Sequence, residues 1–62
     1  MFTMKIRTEN AAFEGADRNL EIARILHAAA EKLEAGAGAN MTVRDVNGNR
    51  VGTTKFTEEN IL

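Results

Sequence analysis

Apolar and polar residues alternate at the start of the chain, with Phe2, Met4 and Ile6 on one side and Thr3, Lys5 and Arg7 on the other. A period of two predicts a half-buried strand over residues 2–8. The alternation stops at Glu9, and Asn10 is placed to close the strand through a local side-chain turn. Phe13 is the one large apolar residue in the connection and is expected under the following helix. From Leu20 to Leu33 the period changes: Ile22, Ile25, Leu26, Ala29 and Leu33 recur at helical spacing and form one stripe. A helix over 18–35 follows, with Asp17 as its N-cap, Glu21 suiting the macrodipole and Gly36 as the left-handed stop. Arg24, His27 and Glu31 lie opposite the stripe, and Leu20 is the one apolar residue out of place there.

Gly36-Ala37-Gly38-Ala39-Asn40 is a connector of small residues, and residues 41–56 read as a hairpin around Asn47-Gly48. A two-residue type I′ turn would set Val46 opposite Asn49. A three-residue loop, made of a type I turn plus a left-handed Gly48, sets Asp45 opposite Asn49 and Val43 across from Val51. Asp and Gly at the first and fourth positions favour the second register, which also keeps both valines on one face. The tail, residues 57–62, has no period, and Ile61 and Leu62 are available to cover an edge or reach a second subunit.

The expected fold is α+β with the order β-α-β-β: a three-stranded sheet covered on one face by a single helix. Spatial order 1-3-2, all antiparallel, is favoured. The alternative pairs the first two strands in parallel through a right-handed crossover.

Sixty-two residues make one domain, and a chain this short has a marginal core. Of its apolar residues ten are alanines, leaving seventeen larger ones with three Phe and no Trp or Tyr. There is no Cys, which removes disulfides and thiolate metal sites, and one His. Small domains without such staples reach stability by oligomerising, so a homodimer is expected. The net charge of −1 argues against a wholly basic nucleic-acid coat. No apolar run has the length of a membrane span, and the amino terminus lacks the apolar segment of a signal peptide. A cytoplasmic protein with no membrane partner is the expectation.

The chain has no Ser and no Cys to serve as nucleophile, and the glycines of the connector follow a helix, the wrong order for a phosphate loop. Asp45-Val46-Asn47-Gly48-Asn49 resembles the start of a calcium loop, but Phe56 stands where its bidentate acid belongs. His27 is a lone histidine on a solvated helix face. No enzyme, metal or cofactor is expected. The informative feature is the sheet face away from the helix. If Phe2, Met4, Ile6, Val43 and Val51 face the helix, then Lys5, Arg7, Arg44 and Arg50 share the other face with Thr3, Thr42 and Thr54. Phe56 joins them by parity unless a bulge intervenes at Gly52. Such a face, with Lys5, Arg7, Arg44, Arg50 and Phe56 as candidate binding residues, suits a nucleic acid, a nucleotide or an acidic protein surface. The same pattern also describes an ordinary solvated sheet face.

Three blocks, Ile6-Arg7-Thr8-Glu9-Asn10-Ala11-Ala12-Phe13, Glu21-Ile22-Ala23-Arg24-Ile25-Leu26 and Arg44-Asp45-Val46-Asn47-Gly48-Asn49-Arg50-Val51-Gly52, resemble a family of short proteins encoded by bacteriophages and prophages. The resemblance implies a phage origin and a place in the host cytoplasm, and it assigns no functional residue. The resulting expectation is a small non-enzymatic interaction protein that binds and modulates a host or defence-system protein. Nucleic-acid or nucleotide binding through the basic face is the alternative.

Overall fold

The strand Arg50–Phe56 (β3) is the centre of a three-stranded antiparallel sheet, with Phe2–Ile6 (β1) on one side and Thr42–Arg44 (β2) on the other. The computed structural model describes residues 1–58. Between the first two strands come a short 3-10 turn, Ala11–Phe13, and the single long helix α1, Asp17–Glu34. This is the small α+β fold with strand order 1-3-2 that the alternation and helical stripe predict. β1 ends at Ile6 rather than residue 8, although the Arg7 N–H still donates to Val51 O at 2.7 Å. At the other end Met1 and Thr57 exchange backbone hydrogen bonds, so Thr57 belongs to the pairing rather than to a free tail. The expected roles of Ile61 and Leu62 lie outside the described residues.

The helix begins one residue earlier than expected. Asp17 is its first residue, and Ala16 occupies the cap position without a side-chain bond. Asp17 therefore supports the first turn through its charge near the N–H dipoles, not as a cap. Gly36 stops the helix as expected, at φ 93°. The Ala37 N–H donates to Lys32 O at 3.0 Å and the Gly36 N–H to Leu33 O at 3.1 Å, the paired bonds of a Schellman ending.

The hairpin takes the three-residue loop. Asp45 N–H donates to Asn49 O at 2.9 Å, Gly48 N–H donates to Asp45 O at 3.0 Å, and Gly48 has φ 85°. One step further the expected register fails. Arg44 pairs with Arg50, but Val43 pairs with Gly52, so Val51 is an extra residue in β3. The correction is a β-bulge, which stacks two successive residues of one strand against one of the next and re-aims the side chains that follow. Val43 and Val51 are not cross-strand partners, yet both are buried.

The core is small: Phe13, Ile25, Val43 and Val51 are buried, with Met4, Ile6, Ala12 and Ile22 packed against them. Phe13 sits under α1 as expected. The helix packs chiefly on β2 and on the 3-10 turn, not across the whole sheet. The expected apolar stripe is therefore only partly covered: Ile25 is buried, whereas Leu26 is 51% and Leu33 39% exposed. Leu20 is exposed, as its position on the polar side predicts.

Gly52 owes its identity to the bulge. A Cβ placed there would stand 1.8 Å from the Lys5 carbonyl oxygen of the neighbouring strand. Gly52→Ala is expected to separate β1 from β3 locally and lower stability by about 2 kcal/mol or more, measured as a reduced midpoint in urea unfolding. An unchanged midpoint would show that the close approach is not a constraint.

Candidate functional site

Two buried carboxylates fix the geometry of the end where helix, hairpin and first connection meet. Glu21, in the second turn of α1, receives Arg24 through Nε at 2.7 Å and Nη2 at 3.1 Å. Its Oε2 also accepts the Val46 N–H at 2.6 Å, tying the helix to the hairpin loop. Asp45 closes the loop on itself: Oδ1 accepts the N–H groups of Asn47 at 2.9 Å and Asn49 at 2.8 Å. Its Oδ2 accepts Asn10 Nδ2 at 3.1 Å, which ties the first connection to the same loop. The sequence reading gave Glu21 only a dipole role and Asn10 only a local turn; both instead reach across the fold. The calcium-like run around Asp45 is this turn, with both carboxylate oxygens engaged by N–H donors.

Arg24 anchors a groove. Its Nη2 donates to Arg44 O at 3.3 Å, on the outer edge of β2. Between α1 and that edge lies a groove of about 320 Å³, floored by Ile25, Ala28, Ala29, Met41 and Val43. Arg24, Lys32 and Arg44 stand along it, and the exposed Val46 closes its hairpin end. Its far end is held by Thr54, whose Oγ1 donates to Ala39 O at 2.6 Å and accepts the Met41 N–H at 2.9 Å. Asn40 Oδ1 accepts the Phe56 N–H at 3.0 Å, so the connector is pinned to β3 at two points.

The open face of the sheet is basic, with altered membership. Cross-strand pairs Thr3–Lys55, Lys5–Thr53, Thr42–Thr53 and Arg44–Arg50 share the side away from Val43. Lys5, Arg7, Arg44 and Arg50 are therefore together, and Lys5, Arg7, Arg50 and Thr53 line one shallow depression. Phe56 is not among them. It pairs with Phe2, and Thr54 pairs with Met4, so both face the apolar side; Thr54 is 3% exposed. The bulge at Val51 is the cause, because the extra residue inverts the parity of everything after it. Lys55 takes the place expected for Phe56, which brings five of the chain's eight Lys and Arg onto one face. Among the described residues none of these five forms an ion pair; the one present joins Arg24 to Glu21.

The structure thus keeps four of the five candidate binding residues together and removes Phe56. The sequence reading missed Lys55, and it missed the groove because Arg24 looked like an ordinary solvated helix position and Lys32 drew no attention. The signal for Lys55 was the Val51-Gly52 pair itself, since glycine inside a strand pattern marks a bulge. Comparison with protein-family models, curated proteins and solved structures finds no match to this chain. Fold and site define the chain as a one-helix, three-stranded α+β domain with a basic sheet face and a cation-lined groove.

The clamp carries a pH dependence. The Arg24 hydrogen bond lowers the Glu21 carboxyl below its ordinary value, against burial and the Asp45 charge, and the Val46 N–H adds to the lowering. Burial pushes Asp45 up, but the bonds from Asn10, Asn49 and Asn47 together outweigh it and leave it lowered. Both groups hold protons less readily when folded than when unfolded. Their stabilisation is therefore present above the unfolded carboxyl range near about 4 and lost as pH falls through the lower folded values. Urea midpoints are expected to drop between neutral pH and pH 3. Glu21→Gln should flatten part of that drop, and Glu21→Ala should cost about 2 kcal/mol at neutral pH by stranding Val46 N–H and Arg24. A pH-independent midpoint in the unaltered protein would refute the clamp.

Proposed function

We propose that this is a non-catalytic interaction protein that binds a partner protein through the groove between α1 and β2. The observation that carries the reading is the groove itself: an apolar floor against an edge strand, with Arg24, Lys32 and Arg44 along it. Thr42 and Arg44 turn their backbone groups outward there, because Met41 and Asp45 turn theirs toward β3, and Arg24 covers the Arg44 carbonyl. An extended segment with apolar and acidic side chains fits such a groove, its apolar groups on the floor while its acids meet the cations. Glu21 and Asp45, the buried carboxylates, have their oxygens occupied by structural donors, which suits a binding scaffold rather than acid–base chemistry. The resemblance to short bacteriophage proteins implies a phage origin, and small proteins of that kind support a host or defence-system protein, modulated in the host cytoplasm, as the partner.

A second reading is favoured by a separate observation: five cations on one sheet face, none of them in an ion pair among the described residues. It assigns that face to nucleic acid or a nucleotide, held through phosphates by Lys5, Arg7, Arg44, Arg50 and Lys55, with the threonine hydroxyls beside them.

Ala28→Glu separates the two. It places an acid on the groove floor one turn from Arg24, leaves Glu21 and Asp45 in place, and should change stability by no more than about 0.5 kcal/mol. An acidic peptide selected from a random library on the unaltered protein should bind Ala28→Glu at least tenfold more weakly. Enrichment of basic peptides, or equal binding to the variant, would overturn the first reading. For the second, a labelled single-stranded oligonucleotide should bind with an affinity that falls steeply with salt. Lys5→Glu with Arg50→Glu should abolish that binding, whereas Ala28→Glu should not. No anisotropy change at low salt would remove it.

A further inference from the structure

β2 is guarded at its outer edge by Arg24 and the flank of α1, but β1 is not guarded. In β1 the odd residues turn their backbone groups to β3: Met1 bonds Thr57 and Arg7 bonds Val51. By alternation Phe2, Met4 and Ile6 turn their N–H and C=O groups outward, and among the described residues nothing pairs with them. The strand carries one charged residue, Lys5, and no proline or bulge. Such an edge is a template for another strand.

The apolar side of this edge is bare as well. Phe2 is 44% and Phe56 52% exposed, and they stand opposite each other across β1 and β3. On α1, Arg24, Ala28 and Lys32 line the β2 groove. At 100° per residue Ile22, Leu26 and Leu33 fall on the opposite flank, toward the β1 side of the sheet. The exposed parts of Phe2, Phe56, Leu26 and Leu33 come to roughly 350 Å² of apolar surface. That is a large share of the about 800 Å² that each partner of a stable interface buries.

We propose that a second copy of this chain covers this edge, its β1 running antiparallel to the first about a two-fold axis at Met4, so that two sheets join into one of six strands. The register follows from hydrogen-bond chemistry. Because only even residues point outward, bonded pairs must be even with even. Centring on Met4 pairs Phe2 with Ile6 of the second copy and uses all three outward residues on each side. A shift toward the C-terminal end would set Lys5 against Lys5 of the second copy, which like-charge repulsion disfavours. A shift toward the N-terminal end leaves Ile6 without a partner. At the Met4 register Thr3 faces Lys5 of the second copy, so no two cations are directly opposed. Both helices lie on one side, with Phe2, Met4 and Ile6 of each copy between them. The five-cation face becomes continuous across the seam, and both β2 grooves remain open at the outer edges.

The register gives a specific test. Thr3 and Lys5 are exposed on the open face, so Thr3→Cys and Lys5→Cys should leave the fold unchanged by circular dichroism. Mixed and mildly oxidised, the two variants should yield a disulfide-linked pair, while each alone should not. Light scattering of the unaltered protein at tens of micromolar should give the mass of two chains. Protein synthesised with a methyl group on the Met4 amide nitrogen, which keeps the side chain but removes the central edge donor, should give the mass of one. A single-chain mass for the unaltered protein overturns the proposal. So does a two-chain mass that survives Met4 methylation, or a disulfide within either variant alone. Binding of acidic peptide at the β2 groove is unaffected by any of these changes, so the two proposals fail separately.

Discussion

Val51 and Gly52 of β3 share a single partner in β2, and most of what this molecule presents to its surroundings follows from that. The extra residue lets Val51 enter the core beside Val43 while Arg50 stays on the open face with Arg44. It then inverts the alternation, sending Thr54 and Phe56 to the apolar side and Thr53 and Lys55 to the basic one. Without the bulge a buried hydroxyl and a phenyl ring would join the cations, and Lys55 would lie against the core face. Gly52 permits this because the strand beside it approaches too closely for any side chain. A local backbone irregularity thus sets the composition of two opposite surfaces.

The other organising feature is polar. Four buried apolar side chains are few for holding a helix of eighteen residues against a sheet. At the hairpin end the deficit is met by Glu21 and Asp45, whose bonds join helix, loop and first connection. Breaking such a network leaves buried donors unmet, so its members are costly to remove even though their net contribution is modest. At the end where β1 begins the ties lie on the β2 side, where Thr54 and Asn40 pin the connector to β3. On the β1 side of that end Phe2 and Phe56 are apolar and half exposed, so the two ends of the molecule are held by different kinds of contact.

The alternation of β1, the stripe of α1 and the Asp45–Gly48 turn were legible because each is a local pattern with a single physical reading. The strand order was legible for a related reason: placing β3 between the other two makes both neighbouring pairs antiparallel, and α1 is long enough to carry the chain across β3 from β1 to β2. What escaped was non-local. Glu21 looks like any acid near a helix start until the Val46 N–H is seen beneath it. Arg24 looks solvated until the β2 edge comes beside it. The coverage of Leu26 and Leu33 depended on where along the sheet the helix would sit, and periodicity carries no such information. Phe56 was misplaced for a subtler reason, since parity propagates: one inserted residue reverses every assignment after it.

Arg44 belongs to both candidate surfaces, and this shapes the functional question. Its side chain lies on the open face directly opposite Arg50, where two like charges repel. It relieves that repulsion by turning Nη1 to Gly48 O at 3.1 Å, toward the hairpin loop that closes the groove. An anion at either surface would relieve it further, so both readings call for negative charge and the sign of the ligand cannot divide them. Shape does. The sheet face carries threonine hydroxyls among its cations, around a shallow depression, which suits a phosphate backbone that makes many polar contacts. The groove has an apolar floor of Ile25, Ala28, Ala29, Met41 and Val43, and suits apolar side chains that gain by leaving water. Phe56 would have been the stacking platform for bases on the open face, and the bulge has moved it to the other side. That loss weakens base recognition more than phosphate contact, and it tips the balance toward the groove.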